Sequence, residues 1–391
     1  MNVLFVTYDF PFPANSGGKN RAFNLLKYTS KKENIFLYSF VREDYSPDFN
    51  SQILDLGVKN IKVFKRKKLS SFSNIPLTVI NNTSIFKTLY YEKSALLEIQ
   101  ELVKKEKIDI IHFESSYTGF LMDKSLRRLG AKLVLGTENI EYQLYFDFAK
   151  ISNKFFLKPF IYLQANRLKN EELAMVRYAD AVSTITGKEA EELYTLTGKE
   201  CYVVGNGIDP NAFAYSYDSK IKKNILFVGN FSYFPNVDAV NFFYSSVFPK
   251  LDKDIRFTII GKKCREKFKF DDRRVVKIDY VEDIISEYRK ADVLIFPIRV
   301  GGGTNFKVLE AMSLGIPIIA HPERLEGLKA IPGEHFLPAR TSIEYKEQIE
   351  FLYDNAPVRR KLSRNGRILI EQNYSWEGIA KYLLSVWNKV M

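Results

Sequence analysis

Residues 299–320 read RVGGGTNFKVLEAMSLGIPIIA. Gly301, Gly302 and Gly303 precede a stretch with helical spacing in which Lys307 and Glu310 stand three residues apart. DVLIFP (Asp292 to Pro297) before it and IPIIAH (Ile316 to His321) after it are short apolar runs of the kind that form buried strands. Strand, glycine turn, helix and strand make the repeating unit of a doubly wound parallel sheet. Glycine lets the backbone approach an anion closely, and the free N–H groups of a first helical turn point at it. Thr304 is expected as the N-cap. At ~1.5 Å per residue, Glu310 then lies ~9 Å along the helix, a separation comparable to that between the terminal phosphate and the ribose hydroxyls of a nucleoside diphosphate. Lys307 shares its helix face and is suited to neutralise charge on a leaving phosphate. Taken alone, the same residues also read as a solvated Lys–Glu pair behind a flexible turn.

Working outward, the alternation runs through almost the whole chain. VLFVTY (from Val3), IFLYSF (from Ile35), IKVF (from Ile61), IDIIHF (from Ile108), KLVLGT (from Lys132), ADAVSTIT (from Ala179) and CYVVGNG (from Cys201) are strand candidates, with helical patterns between several of them. The series restarts at NILFVGN (from Asn224) and continues through RFTIIG, VVKIDY, DVLIFP and IPIIAH. Two α/β domains in tandem are therefore expected, with the boundary in the turn-rich GNGIDPNAF. The first spans residues 1–205 and is joined by a C-terminal crossover helix at 375–391; the second spans 206–374. In that last helix Trp376, Ile379, Leu383 and Trp387 form one apolar face that must pack against something.

Composition narrows the field. The 391 residues are 46% apolar, which supplies material for two cores. The formal charge of +12 favours an anionic partner without choosing among phosphate, nucleic acid and acidic membrane. Cys201 and Cys264 are too few and too far apart in sequence for a disulfide framework or a metal-ligand spacing. The N-terminal MNVLFVTYDFPFP has no basic region before its apolar run and reads as a first strand rather than a signal peptide. No stretch is long and apolar enough for a spanning helix. A cytoplasmic location is expected, with the inner membrane face as a candidate surface.

Several segments in order resemble the family 4 glycosyltransferases and their relatives of the GT-B architecture. The R-x-GGGT-x-x-K-x-x-EAM-x-x-G-x-P segment resembles a variant of their donor motif. FPFPANSGGKNR resembles their N-terminal Gly-Gly loop, DIIHFESS their D-x-x-H strand end, and VGNGID their interdomain turn. FVGNFSYFPNVDAV, YVEDIISEYRKADVLIFP and the terminal YSWEGIAKYLL complete the likeness. The resemblance implies an α/β GT-B fold, two Rossmann-like doubly wound domains facing a central cleft. It also implies a retaining, metal-independent transfer from a nucleoside-diphosphate sugar of UDP or GDP type to a glycan or lipid-linked acceptor, the chemistry of cell-surface polysaccharide assembly, with no bound cofactor.

Site residues follow from the same likeness. Gly17, Gly18, Asn206, Tyr280, Val281, Arg299, Gly302, Gly303, Thr304, Lys307 and Glu310 are expected around the donor. Gly17 and Gly18 would lie in the turn before a helix, and the nucleobase would rest on Tyr280 and Val281. His112, at a strand end, would touch the transferred sugar. Glu138, in Thr137-Glu138-Asn139, would orient an acceptor hydroxyl or act as a weak base. Lys19, Arg21 and Glu114 are placed near the acceptor. Two departures stand out. The common motif has two glutamates eight positions apart, but Gly302 occupies the first place here. The loop GNFSYFPN also lacks the basic residue many relatives carry, so Lys307, Arg299 or Lys19 would have to meet the phosphates.

The stretches from Ile61 to Phe72 and from Lys150 to Lys169 mix Lys and Arg with Phe, Leu and Tyr, a composition suited to an anionic membrane surface. No nucleic-acid-binding module is recognisable. Two other readings stay open: a sugar-nucleotide epimerase of the same architecture, and a catalytically silent nucleotide- or membrane-binding protein.

Overall fold

The computed structural model describes residues 1–67, 82–151, 155–299 and 306–391. Contacts divide the chain into two units, Met1–Asn206 with Trp376–Met391, and Gly207–Ser375.

The first unit is built on seven strands: β1 (Asn2–Thr7), β2 (Asn34–Val41), β3 (Asn60–Lys65), β4 (Ile110–Glu114), β5 (Lys132–Gly136), β6 (Ala181–Thr184) and β7 (Cys201–Val203). They lie in the order β3-β2-β1-β4-β5-β6-β7, every pair parallel. β4 is buried along its whole length, so Ile110, Ile111 and Phe113 show no in-out alternation, and His112 and Glu114 are buried with them. The helix Gly17–Thr29 and the last helix Trp376–Val390 pack together. Trp387, Leu383 and Val386 are fully buried, which accounts for the apolar face of the C-terminal segment.

The second unit carries β8 (Asn224–Val228), β9 (Arg256–Ile260), β10 (Val275–Ile278), β11 (Val293–Phe296), β12 (Ile318–Ala320) and β13 (Leu337–Pro338). Their order is β10-β9-β8-β11-β12-β13, again all parallel. In both sheets the order reverses beside the first strand, between β1 and β4 and between β8 and β11. Doubly wound sheets bind ligands just beyond the carboxyl ends of those two strands, where the loops diverge and leave a crevice.

Local structure departs from expectation at the first helix. Gly17 and Gly18 do not precede the first helix but form its first two residues, after an extended Ser16 whose side chain makes no capping bond. The segment after β8 is helical only over Phe234–Phe242, then widens into a π-turn at Phe243–Val247 and tightens at Phe248–Lys250. Proline 249 cannot continue the helical ladder, which is the local reason for the stop.

Candidate functional site

In the second unit the crevice lies between the loop after β8 and the helix Phe306–Leu314 that follows β11. Lys307, in the first turn of that helix, is half-buried and donates from Nζ to Asn236 Oδ1 at 2.8 Å. Its ammonium also sits 4.9 Å from the Phe227 ring centre and 5.5 Å from that of Phe296. Burial pulls its pKa down to about 7, against the opposing pull of Glu310. Asn236 is held in turn by its Nδ2 donating to the Asn230 carbonyl at 2.9 Å. A Cβ on Gly229 would come within 2.9 Å of Asn236 Cγ, so the glycine makes room for the amide. Gly261, at φ +141°, has the same role towards the backbone: a Cβ there would fall 1.8 Å from the Gly229 carbonyl oxygen.

One turn along from Lys307, Glu310 accepts a hydrogen bond from the Tyr288 hydroxyl at 2.7 Å. Tyr288 is fully buried. Burial raises the Glu310 pKa, while the Tyr288 bond and the Lys307 charge lower it. Lys307 and Glu310 are thus not a solvated surface pair. Each is anchored by a neutral partner on a neighbouring segment. Arg299 is engaged differently: Nε and Nη2 bond both oxygens of Asp238 at 3.0 and 2.6 Å. Its guanidinium lies 4.9 Å from the Phe242 ring centre. Of the three cations considered for the phosphates, Arg299 is balanced by a carboxylate, and so is Lys19, whose Nζ lies 3.8 Å from Asp9 and 3.7 Å from Asp44. Lys307 bonds an amide, with Glu310 one turn along its helix. Tyr280 is 81% exposed, and Val281 packs partly buried against the core. Gly302, Gly303 and Thr304 lie outside the described residues.

In the first unit the polar centre sits on the inner strands. His112 is not at a strand end; β4 continues two residues further, to Glu114. The imidazole is fully buried and stacked on Phe5 at 4.6 Å. Trp387 Nε1 donates to its Nδ1 at 3.1 Å, and its Nε2 lies 2.6 Å from Glu114 Oε2. An indole N–H can only donate, so Nδ1 is the acceptor and Nε2 carries the proton that Glu114 receives. Both ring nitrogens are therefore occupied, and in this geometry His112 offers none to a sugar.

Glu114 also receives Arg21 Nε at 2.5 Å. Burial would raise its pKa, but Arg21 and His112 outweigh that and hold it at about 2. Arg21 Nη1 reaches across to the Gly205 carbonyl at 2.7 Å and Asn206 Oδ1 at 3.2 Å. The guanidinium thus spans from β4 to the residues following β7. Gly136 of β5 permits this polar cluster: a Cβ there would lie 2.8 Å from Glu114 Oε2 and 3.1 Å from His112 Nε2. Lys19, Arg21 and Glu114 were expected at the acceptor, but they are 8, 1 and 1% exposed and paired internally. The reason is local pairing on the first helix: Lys19 lies between Asp9 and Asp44, and Arg21 is held by Glu114. Asn206, expected at the donor, spends its side-chain oxygen on Arg21.

Glu138 follows β5 by two residues. Its Oε2 accepts from the Tyr8 hydroxyl at 3.2 Å, while Oε1 is buried without a partner. Burial, and then the Glu114 charge, push its pKa up to about 8. Near neutral pH the carboxyl is mainly protonated, which makes it a hydrogen-bond donor before it is a base. Gly18 lies against it: a Cβ there would approach the Tyr8 hydroxyl to 2.3 Å and Glu138 Oε2 to 2.7 Å. Tyr8, Asn236, Tyr288 and Trp387 went unnoticed as site residues in the sequence, because each acts through a partner distant in the chain. Only Trp387 left a trace, as part of an apolar helical face.

Among the described residues no group of three or more His, Cys, Asp or Glu side chains is arranged to hold a metal ion. A hollow bounded by Tyr217, Asp292, Ile316 and Arg359 lies at the amino-terminal edge of the second sheet and includes none of the candidates.

Residues 59–212 match the family model described as Glycosyltransferase Family 4, and residues 222–355 match the model described as Glycosyl transferases group 1. No curated protein sequence matches. Among solved structures, the chain is similar to sucrose-phosphate synthase (tll1590) from Thermosynechococcus elongatus, with 15% identity, a TM-score of 0.70, and coverage of 100% of this chain and 98% of that one. It is also similar to Anabaena Alr3699/HepE in complex with UDP, at 12% identity, TM-score 0.68 and 100% of both chains. The lipopolysaccharide outer core galactosyltransferase WaaB in its apo form gives 14% identity, TM-score 0.63 and 100% of both chains. At such identities the likeness establishes the fold, two Rossmann-like parallel-sheet domains of the GT-B type.

Proposed function

We propose that this chain, which belongs to the family 4-like glycosyltransferases of the GT-B fold, transfers a sugar from a nucleoside-diphosphate sugar to a hydroxyl of a glycan or lipid-linked acceptor, with retention and without a metal ion. The observation that carries this reading is the pairing of Lys307 with Asn236 at the mouth of β8 and β11, one turn before a Glu310 held by Tyr288. A cation hydrogen-bonded to a neutral amide, on the helix that follows β11 where doubly wound sheets bind phosphates, is suited to a diphosphate. The titles of two HepE complexes, with UDP and with UDP-glucose, support a uridine nucleotide as the first donor to test.

In the proposed reaction Glu310 accepts bonds from the ribose hydroxyls, and Tyr280 offers an exposed ring to the base. Lys307 takes up full positive charge as the diphosphate arrives and stabilises it as it leaves. The acceptor oxygen enters on the face the diphosphate vacates, and its proton passes to the departing diphosphate oxygen as the sugar–phosphate bond breaks. Glu138 orients that oxygen through its free Oε1, and Tyr8 holds the other oxygen of the carboxyl. His112 is a positioning residue: with Glu114, Arg21 and Trp387 it stiffens the strand end beneath the acceptor.

A thermal-shift panel of nucleotides followed by donor turnover tests this. A nucleotide at 100 times its Kd stabilises a domain by ~2.7 kcal/mol, a shift of roughly 5–10 °C for 150–250 residues. UDP or GDP is expected to give that shift, and its sugar conjugate to give slow hydrolysis and a glycan product of unchanged anomeric configuration. An isomerised nucleotide sugar formed without acceptor would establish the epimerase instead. Binding with neither transfer nor hydrolysis would establish the silent protein.

A further inference from the structure

Three loops of the first unit meet where its strand order reverses. Tyr8 directly follows β1, Tyr117 comes three residues after β4, and Glu138 two residues after β5. These strands are neighbours in the sheet, so all three residues lie beyond its carboxyl edge. The Tyr8 and Tyr117 rings meet edge to face at 5.8 Å. Tyr117 stacks in turn on the buried Tyr90, at 4.9 Å. Tyr145 stands four residues on from Glu141, on the same face of the helix Glu141–Ile151. Its ring lies 4.5 Å from that of Phe86, which is 5.6 Å from Tyr117. Tyr8, Tyr117 and Tyr145 are only half-buried, so this wall of rings keeps an accessible face.

The polar groups among the rings are carboxyls. Glu141 accepts from the Tyr117 hydroxyl at 2.7 Å. Glu172, on the helix Lys158–Tyr178, accepts from Ser116 Oγ at 2.6 Å and from the backbone N–H groups of Glu141 and Tyr142 at 3.2 and 3.0 Å. It thereby anchors the first turn of the helix that begins three residues after Glu138. Glu138 keeps one oxygen, Oε1, buried and without a partner. Among the described residues no Lys or Arg bonds any of the three carboxyls. Arg21 acts on Glu138 from a distance but is bonded to Glu114, and Arg66 donates to the Tyr90 hydroxyl.

Rings beside hydrogen-bonding groups offer an apolar face and polar tips together. A sugar ring matches both, with C–H groups on its face and hydroxyls on its rim. Charge then sorts one sugar from another. An acidic group set against three carboxyls with no cation to offset it costs far more than a hydroxyl does. An ammonium group is also poorly served, because a mainly protonated Glu138 presents an O–H that needs an acceptor. A hydroxyl can both give and receive.

We propose that the acceptor group presented to Glu138 is an uncharged sugar residue, held with one ring face on the wall of Tyr8, Tyr117 and Tyr145 and told from acidic sugars by Glu138, Glu141 and Glu172. The inference deepens the proposed reaction, and rests on it, by naming the class of acceptor.

The test is saturation-transfer NMR of the full chain at neutral pH, with and without UDP. The probes are the methyl glycosides of glucose, galactose and mannose, beside methyl glucuronide, methyl galacturonide and methyl glucosaminide. The neutral glycosides are expected to bind through their ring C–H protons, and the acidic ones at least ~10-fold more weakly. Tyr145→Leu is expected to weaken the neutral glycosides ~3- to 10-fold. Glu141→Gln keeps an acceptor for Tyr117 and removes the charge, so the preference over acidic sugars should narrow at least ~3-fold. The nucleotide-induced shift in Tm should be unchanged in both variants. An acidic or amino glycoside that binds as well as the neutral ones, binding by none of the probes, or wild-type affinity and preference in both variants would overturn the proposal. A nucleotide shift without any preference for neutral sugars rejects this acceptor class and spares the transferase reading. Selective binding of neutral sugars without any nucleotide shift leaves the wall as a sugar site and removes the transferase reading.

Discussion

Trp387, in the last helix of the chain, donates its indole N–H to Nδ1 of His112 in the middle of β4. The two residues are 275 positions apart, yet this bond selects the tautomer in which Nε2–H faces Glu114. A helix that also ties the C-terminus into the first unit thereby sets the polarity of a chain of bonds, Trp387 to His112 to Glu114 to Arg21.

Trp387→Phe keeps the ring and removes the donor. It leaves a buried imidazole nitrogen unpartnered, a loss of about 1–3 kcal/mol. Urea unfolding should report that loss, turnover should fall, and nucleotide affinity should hold. Stability within ~0.5 kcal/mol of wild type, the usual range of neutral surface changes, would mean the bond is not formed in solution. His112→Ala should likewise lower turnover more than nucleotide affinity.

Glu310→Ala should weaken nucleotide binding by about 10- to 150-fold, the loss of a charge-assisted hydrogen bond worth ~1.5–3 kcal/mol. The fold should survive, because the Tyr288 hydroxyl lies within 3.3 Å of the Lys307 carbonyl and keeps a partner there. Isothermal calorimetry with the best nucleotide decides the matter; an unchanged Kd removes Glu310 from the site.

Lys307 predicts a proton linkage. Its pKa is lowered by burial to about 7, well under that of an unfolded lysine. Between pH 7 and that of free lysine the unfolded chain binds more protons than the folded one, so this group's contribution makes stability rise with pH in that window. An arriving diphosphate raises the pKa and must be accompanied by proton uptake. Calorimetry in buffers of different ionisation enthalpy should show uptake near pH 8 that Lys307→Met abolishes.

Glu138 has the opposite sign. Its pKa is raised to about 8, so the folded state keeps a proton that the unfolded state has released. The contribution is fully present below the pKa of an unfolded glutamate and is lost as pH rises through about 8. Glu138→Gln, which imitates the protonated form, should keep stability at pH 7 and flatten its pH dependence. It should also retain more turnover than Glu138→Ala. Equal turnover in the two variants would show that a hydrogen-bond donor is not what the position supplies.

Gly18→Ala tests the geometry of the same corner. The added methyl collides with Tyr8 and Glu138, so the carboxyl must move. Turnover is expected to drop sharply while the nucleotide-induced Tm shift persists. Full activity would place the acceptor hydroxyl elsewhere.

What the amino-acid order determined by itself was periodic and local. Short apolar runs between helical patterns specify parallel sheets buried on both faces, because strands covered by helices need apolar residues on both sides. That Lys307 and Glu310 share one helix face was legible for the same kind of reason: helix phase is readable over a few residues. Tertiary structure alone decided how the charges are spent. Arg21, Lys19 and Arg299 looked available for anions, yet Glu114, Asp9, Asp44 and Asp238 neutralise them from distant segments. Lys307 stayed available because Asn236, 71 residues away, is neutral. Ionisation and pairing depend on what burial and long-range packing bring within a few ångströms, and a linear pattern does not carry that information.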